Sequence, residues 1–209
     1  MKAMHIDDVL DRAHVVSLPL AVRFRGITTR EALLIDGPAG WGEFAPFLEY
    51  GSAESAAWLR AGIEAAYEGF PEPVRDSIEV NATIPAVPAS EVPALVERYP
   101  GCRTFKIKVA EKDHTLADDA ARVRAVRDTI TQRGEIPILR VDANGGWTVE
   151  EAVQAAQMMM PLDYMEQPCA TTEELAQVRG RLMRAGLFVR VAADESIRKV
   201  ADPYRVAEL

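Results

Sequence analysis

The apolar positions of this chain change their rhythm after about residue 75. Before that point, HVVSLPLAVRF (14–24) and the run 31–36 ending in Asp-Gly alternate as strands do, with the DG pair as a turn signal. GWGEFAPFLEYG follows and reads as a polar-aromatic loop. SAESAAWLRAGIEAAYEG (52–69) carries the helical period, with Ser52 as the expected cap and Gly69 as the stop. These segments predict a small α+β unit over residues 1–75. From there on the pattern is regular. Strands are expected at 78–86, 103–110, 136–146, 162–168 and 187–194. Helices are expected at 89–101, 114–134, 148–160 (capped by Thr148), 171–186 and 196–209, the last interrupted by Pro203. Strand–helix alternation of this kind implies right-handed βαβ units and a parallel sheet, hence an α/β class for residues 76–209. No GxGxxG or GK[ST] phosphate loop accompanies it, which leaves a (β/α) barrel as the better architecture, here of about five strands.

One strand has an awkward composition. In FKIKVA (105–110), Lys106 and Lys108 share one face, while Phe105, Ile107 and Val109 share the other. Two ammonium groups side by side repel, so the lysine face needs anions opposite it. The following strands end on them: Arg140 and Asp142, with Asn144 just beyond, then Glu166, then Asp194 and Glu195. In parallel α/β structures the C-terminal strand ends form the ligand face. Three carboxylates meeting there require a cation, and an all-oxygen donor set without His or Cys favours Mg²⁺, with Mn²⁺ second. A lysine beside such a cation has its pKa pushed down and can act as a base. Its expected target is a proton next to a substrate carboxylate, with an enediolate as the charge that develops. Blander roles stand beside these. The lysine pair could be a solvated edge, Asp142 a turn residue, Asp194 or Glu195 a helix cap, and Arg140 an ion-pair partner of Asp142.

Composition narrows the partners. The 209 residues carry a net charge of −8, an acidic balance that argues against nucleic acid. No apolar run is long enough for a membrane helix, and the N-terminus has no signal-peptide core. Cys102 and Cys169 lack metal-type spacing, which suits a reduced, cytoplasmic protein. His5, His14 and His114 sit in unrelated contexts and are expected to be structural or surface residues. The arginine-rich stretch 121–133 is expected on a solvated helix face.

The combination KIK (106–108), RVDANGGW (140–147), YMEQP (164–168) and AADES (192–196) resembles the enolase superfamily, and the K-x-K resembles its muconate-lactonizing subgroup. The resemblance spans nearly the whole chain. It implies an enolase-like fold: an N-terminal α+β capping domain and a (β/α) barrel. It implies Asp142, Glu166 and Asp194 as ligands of Mg²⁺, Lys108 as acid/base and Lys106 as its tuning partner. Arg140 and Asn144 are expected at the substrate, and a cap loop around Arg23–Thr29 is expected to close over it. RFRGITTREALLI, GWGEFAPF and VNATIPA are most similar to the o-succinylbenzoate synthase family of actinobacterial type. That similarity implies a small-molecule carboxylate substrate and a hydro-lyase reaction in menaquinone synthesis, the loss of water from a succinyl-hydroxycyclohexadiene carboxylate. N-acylamino acid racemisation or dipeptide epimerisation is the alternative within the superfamily. The family pattern also has a lysine on a sixth barrel strand. The chain stops at Leu209, before such a strand, so a C-terminally truncated and inactive fragment is the third expectation.

Overall fold

In the computed structural model, which describes residues 5–24 and 27–209 (21–24 by backbone alone), the alternation of the first zone builds an antiparallel sheet. Its strands are β1 (Ala13–Phe24), β2 (Ile27–Gly37) and β3 (Gly40–Phe44), in the order β1-β2-β3. GWGEF, expected as a loop, is the third strand: the turn at Pro38–Ala39, just after the Asp-Gly pair, is tight enough to pair Gly37 with Gly40, and the ladder runs on to Leu33 with Phe44. Its second glycine serves packing. A Cβ on Gly42 would lie 1.9 Å from the Gly62 carbonyl oxygen, so only glycine lets α2 (Ser52–Tyr67) lie this close on the sheet. The cap of α2 is Gly51 rather than Ser52. A short helix, α1 (Ile6–Leu10), precedes β1, and its Val9 is buried with Ile35 and Ala66. The expected cap loop Arg23–Thr29 lies in part outside the described residues; Ile27–Thr29 belongs to β2.

The chain divides into two compact units, Met1–Asp76 and Ser77–Leu209. The second is a five-stranded parallel sheet in sequential order: β4 (Ala82–Ile84), β5 (Thr104–Lys108), β6 (Ile138–Asp142), β7 (Tyr164–Glu166) and β8 (Arg190–Ala192). Sequential order is the winding of a barrel, not of a doubly wound sheet, whose order reverses. The helices between the strands are α3 (Val92–Val96), α4 (Leu116–Gln132), α5 (Val149–Met159) and α6 (Thr172–Arg184), with α7 (Asp202–Ala207) after β8. Three of them start at reciprocal caps, Thr115 with Asp118, Thr148 with Glu151 and Thr171 with Glu174. The elements are shorter than their apolar runs. Residues 78–81 stay unpaired because β5 meets β4 only over Ala82–Ile84. Helix 89–101 contracts to a 3-10 turn at 89–91 and α3, with Pro93 in its first turn, and 196–209 contracts to α7, with Pro203 in the same role.

Phe105, Ile107 and Val109 turn outward from β5 into one apolar cluster with Val123, Val126 and Ile130 of α4. Phe105 and Ile107 are fully buried, each contributing about 1.5–3 kcal/mol. That burial pins the register and forces both lysines onto the opposite face. Arg122, expected on a solvated face with the rest of 121–133, is instead buried, whereas its neighbour Arg124 is exposed.

Candidate active site

Parallel pairing stacks the inward side chains in layers. Lys106, Arg140, Tyr164 and Arg190 are register partners in one layer, and Lys108, Asp142, Glu166 and Ala192 in the next, at the C-terminal strand ends. The first layer carries three cations, and the second sets Lys108 beside two adjacent carboxylates, so the charges pair within and between the layers. Lys106 Nζ donates to Glu166 Oε1 at 2.7 Å and lies 3.1 Å from Asp142 Oδ2. Lys108 Nζ donates to Asp142 Oδ2 at 2.6 Å and to Asn144 Oδ1 at 2.7 Å. Asp142 is completely buried, so both ammonium groups serve one desolvated carboxylate.

The loop after β6 is shaped to bring Asn144 back over this layer. Asn144 and Gly145 take left-handed backbone, φ 46° and 79°. A Cβ on Gly146 would meet Ala110 at 2.9 Å. The turn lets the Asn144 amide donate to Asp142 Oδ1 at 3.1 Å while Nδ2 donates to Glu195 Oε1 at 2.9 Å. Asn144 thus bridges Lys108 and Glu195. The other oxygen of Glu195, Oε2, is buried without a hydrogen-bond partner.

Gln167, which sequence reasoning passed over, organises the far side. It is fully buried, with φ 36°. Its Oε1 accepts the amide N–H groups of Asp194 at 2.9 Å and Ser196 at 3.1 Å. Its Nε2 donates to Ser196 Oγ at 2.7 Å and to the Cys169 carbonyl at 3.0 Å. The available signal was an amide side chain directly after a strand-end carboxylate and before a proline.

The electrostatics follow from burial and pairing. Burial alone would raise Asp142, but hydrogen bonds and charge from Lys108 and Lys106 outweigh it and hold the carboxyl below its ordinary value. Glu166 goes the other way: burial, then the Asp142 and Asp194 charges, lift it despite the Lys106 hydrogen bond. Asp194 is raised by burial and by Glu195 and Asp142. Burial works against the Lys106 ammonium, yet its bonds to Glu166 and Asp142 keep it charged above the ordinary lysine range.

The structure thus brings Lys106, Lys108, Asp142, Asn144 and Glu166 into one hydrogen-bonded cluster. Asp194 lies near enough for its charge to act on Glu166, but it is exposed and engaged through its backbone. Arg140 occupies the layer below and is not the ion partner of Asp142. Its Nε donates to Asp163 Oδ2 at 3.0 Å, its Nη1 to Asn81 Oδ1 at 2.8 Å, and its guanidinium stacks 4.8 Å over the Tyr164 ring. Among the described residues, no three His, Cys, Asp or Glu side chains are gathered closely enough to hold a metal ion as they stand.

Residues 89–209 match the family described as "Enolase C-terminal domain-like", and residues 15–66 match "Enolase N-terminal domain-like". A curated relative named o-succinylbenzoate synthase from Mycolicibacterium smegmatis is 56% identical, over 96% of this chain and 60% of its own length. One of the same name from Mycobacterium leprae is 57% identical, over 96% of this chain and 58% of its own. The chain spans about three fifths of the length of these relatives. A solved o-succinylbenzoate synthase from Thermosynechococcus elongatus, complexed with Mg in its active site, superposes with a TM-score of 0.66. At 20% identity, over 94% of this chain and 72% of that one, the likeness is one of fold.

Proposed function

The chain belongs to the enolase C-terminal domain-like family, and from that premise we propose that the protein, at its full natural length, is a Mg²⁺-dependent o-succinylbenzoate synthase. The reaction removes water from a succinyl-hydroxycyclohexadiene carboxylate. The observation that carries the reading is Lys108 Nζ, aimed by Asp142 and Asn144 at the C-terminal mouth of the sheet. Lys108 takes the ring proton alpha to the substrate carboxylate. The adjacent C–O bond then breaks, and the departing hydroxide recovers that proton from the same ammonium as water. The ring becomes aromatic, which drives the loss.

The donor set fits a hard divalent cation: Asp142, Glu166 and Asp194 supply oxygen only, Glu166 and Asp194 are raised by burial first and by neighbouring carboxylates after it, and Glu195 Oε2 is an unpartnered buried carboxylate oxygen next to Asp194 in the chain. Asp142, Glu166 and Asp194 would hold it, and when bound it supplies positive charge to the substrate carboxylate as electrons move onto it. With the ion held there, Lys106 would no longer serve as counter-ion to Asp142 and Glu166, and its charge would bear on Lys108 on the same strand face. Lys108 would likewise lose Asp142 as its counter-ion and keep Asn144 as its partner. Arg140, fixed by Asp163 and Asn81, forms the floor of the substrate pocket, and Asn144 its wall.

The test supplies the protein, at its full natural length and with Mg²⁺, with the cyclohexadiene carboxylate and separately with an N-succinylamino acid. Formation of o-succinylbenzoate, lost in Lys108→Ala while Mg²⁺ still binds, is expected. Racemisation without dehydration, or a near-normal rate in Lys108→Ala, refutes the assignment.

A further inference from the structure

The end of β5 that carries Lys108 is held from outside the sheet by a buried ionic network with no part in the chemistry above. Arg122 of α4 is enclosed, 1% exposed. Its Nη1 donates to the Lys108 carbonyl oxygen at 2.9 Å and to Asp119 Oδ1 at 2.7 Å. Its Nε donates to the Val87 carbonyl at 2.6 Å, and its Nη2 lies 2.7 Å from His114 Nδ1, which must be the acceptor because a guanidinium cannot accept. Asp119 Oδ2 in turn accepts the amide N–H of Ala110 at 2.9 Å. Ala110 sits at φ 59°, in the left-handed region that non-glycine residues avoid. The chain therefore turns sharply two residues after Lys108, and a buried carboxylate holds the turn.

Stability alone is a poor reason for such a network, because a buried ion pair replaced by apolar groups often leaves stability unchanged or improved. What the pair holds is more informative. Its acceptors and donors include main-chain atoms on both sides of Val109 and one from the segment after β4. A planar guanidinium fixes these relative to one another; a lysine, with a single flexible ammonium, could not. On the inner side Asp142 and Asn144 hold the Lys108 ammonium, and on the outer side Arg122 and Asp119 hold its backbone.

We propose that Arg122, locked by Asp119, is a positioning residue that sets the backbone of Lys108 and through it the aim of Nζ. The proposal rests on Lys108 being the acid/base. A reacting group displaced by about 1 Å loses on the order of 10²-fold in rate.

The experiment uses the protein at its full natural length with Mg²⁺, as wild type, Arg122→Lys and Asp119→Asn. Expected for folded Arg122→Lys is a kcat lower by about 10²-fold, with KM and the calorimetric Mg²⁺ dissociation constant nearly unchanged. Asp119→Asn keeps the shape but loses the charge that orients the guanidinium, and falls the same way by about 10-fold. Amide hydrogen exchange over 105–112 should quicken in both variants while exchange over 138–142 stays as it was. A purely structural role would instead lower the folded fraction and leave kcat per folded molecule intact, which overturns the proposal, as does unchanged exchange over 105–112. If the wild type forms no o-succinylbenzoate, the functional reading fails, and the exchange measurement decides the clamp by itself.

Discussion

Gln167→Met is the most direct probe of how the strand ends are tied together. The substitution keeps length and apolar volume and removes every polar contact of a side chain that is fully buried. Four hydrogen bonds go: those from the Asp194 and Ser196 amides to Oε1, and those from Nε2 to Ser196 Oγ and the Cys169 carbonyl. At about 0.5–1.5 kcal/mol net for each, and with water able to reach the exposed Asp194 side, the loss should be about 2–4 kcal/mol. The positive φ of Gln167 places this cost where the backbone is already unfavourable. Urea unfolding followed by tryptophan fluorescence reads the stability, and calorimetric titration with Mg²⁺ reads the site. We expect the midpoint to fall with an unchanged slope, and Mg²⁺ to bind more weakly because residues 194–196 are no longer held. A loss below about 0.5 kcal/mol with unaltered Mg²⁺ binding would refute the reasoning, since it would mean that the four bonds are replaced by solvent without penalty.

Two further outcomes follow from the electrostatics. Lys106→Met leaves Asp142 and Glu166 with less compensation, so without Mg²⁺ the thermal midpoint should drop, by about 1–3 kcal/mol in stability, and added Mg²⁺ should raise it more than in the wild type. A weaker Mg²⁺ response than in the wild type would contradict competition between ammonium and metal. Cys169 is pushed up to about 11, by burial first and then by the charges of Glu174, Glu150 and Glu151. Its thiol should resist iodoacetamide at neutral pH until urea unfolds the chain. The unfolded thiol ionises near its ordinary value of about 8.5 while the folded one keeps its proton, so Cys169 should cost stability progressively as pH rises from there to about 11. Native labelling as fast as in urea would argue against the burial.

Lys106, Lys108, Asp142 and Glu166 were legible because each stands at or near the end of a strand that its own local pattern announces, whereas Gln167, just past β7, was not singled out. Alternation in FKIKVA put both lysines on one face, and the Thr-x-x-Asp/Glu caps marked where α4, α5 and α6 begin. The α/β order, the five strands and the strand-end carboxylates follow from signals within about ten residues of one another, whereas the enolase-like fold came from a resemblance carried by motifs spread over residues 106–196. What the lysines bind does not. Lys106 meets Glu166 across 60 residues of chain and Lys108 meets Asp142 across 34, in a register decided by burying Phe105 and Ile107 against α4. GWGEF had loop composition and became a strand because Gly62 and Ala66 of α2 could lie on Gly42. Arg122 looked like one more arginine on a charged helix, and only the packing of α4 on β5 turned it inward to the Lys108 carbonyl. Periodicity assigns a side chain to a face, whereas its partners come from elements far apart in sequence, and those distances are set by the packed core.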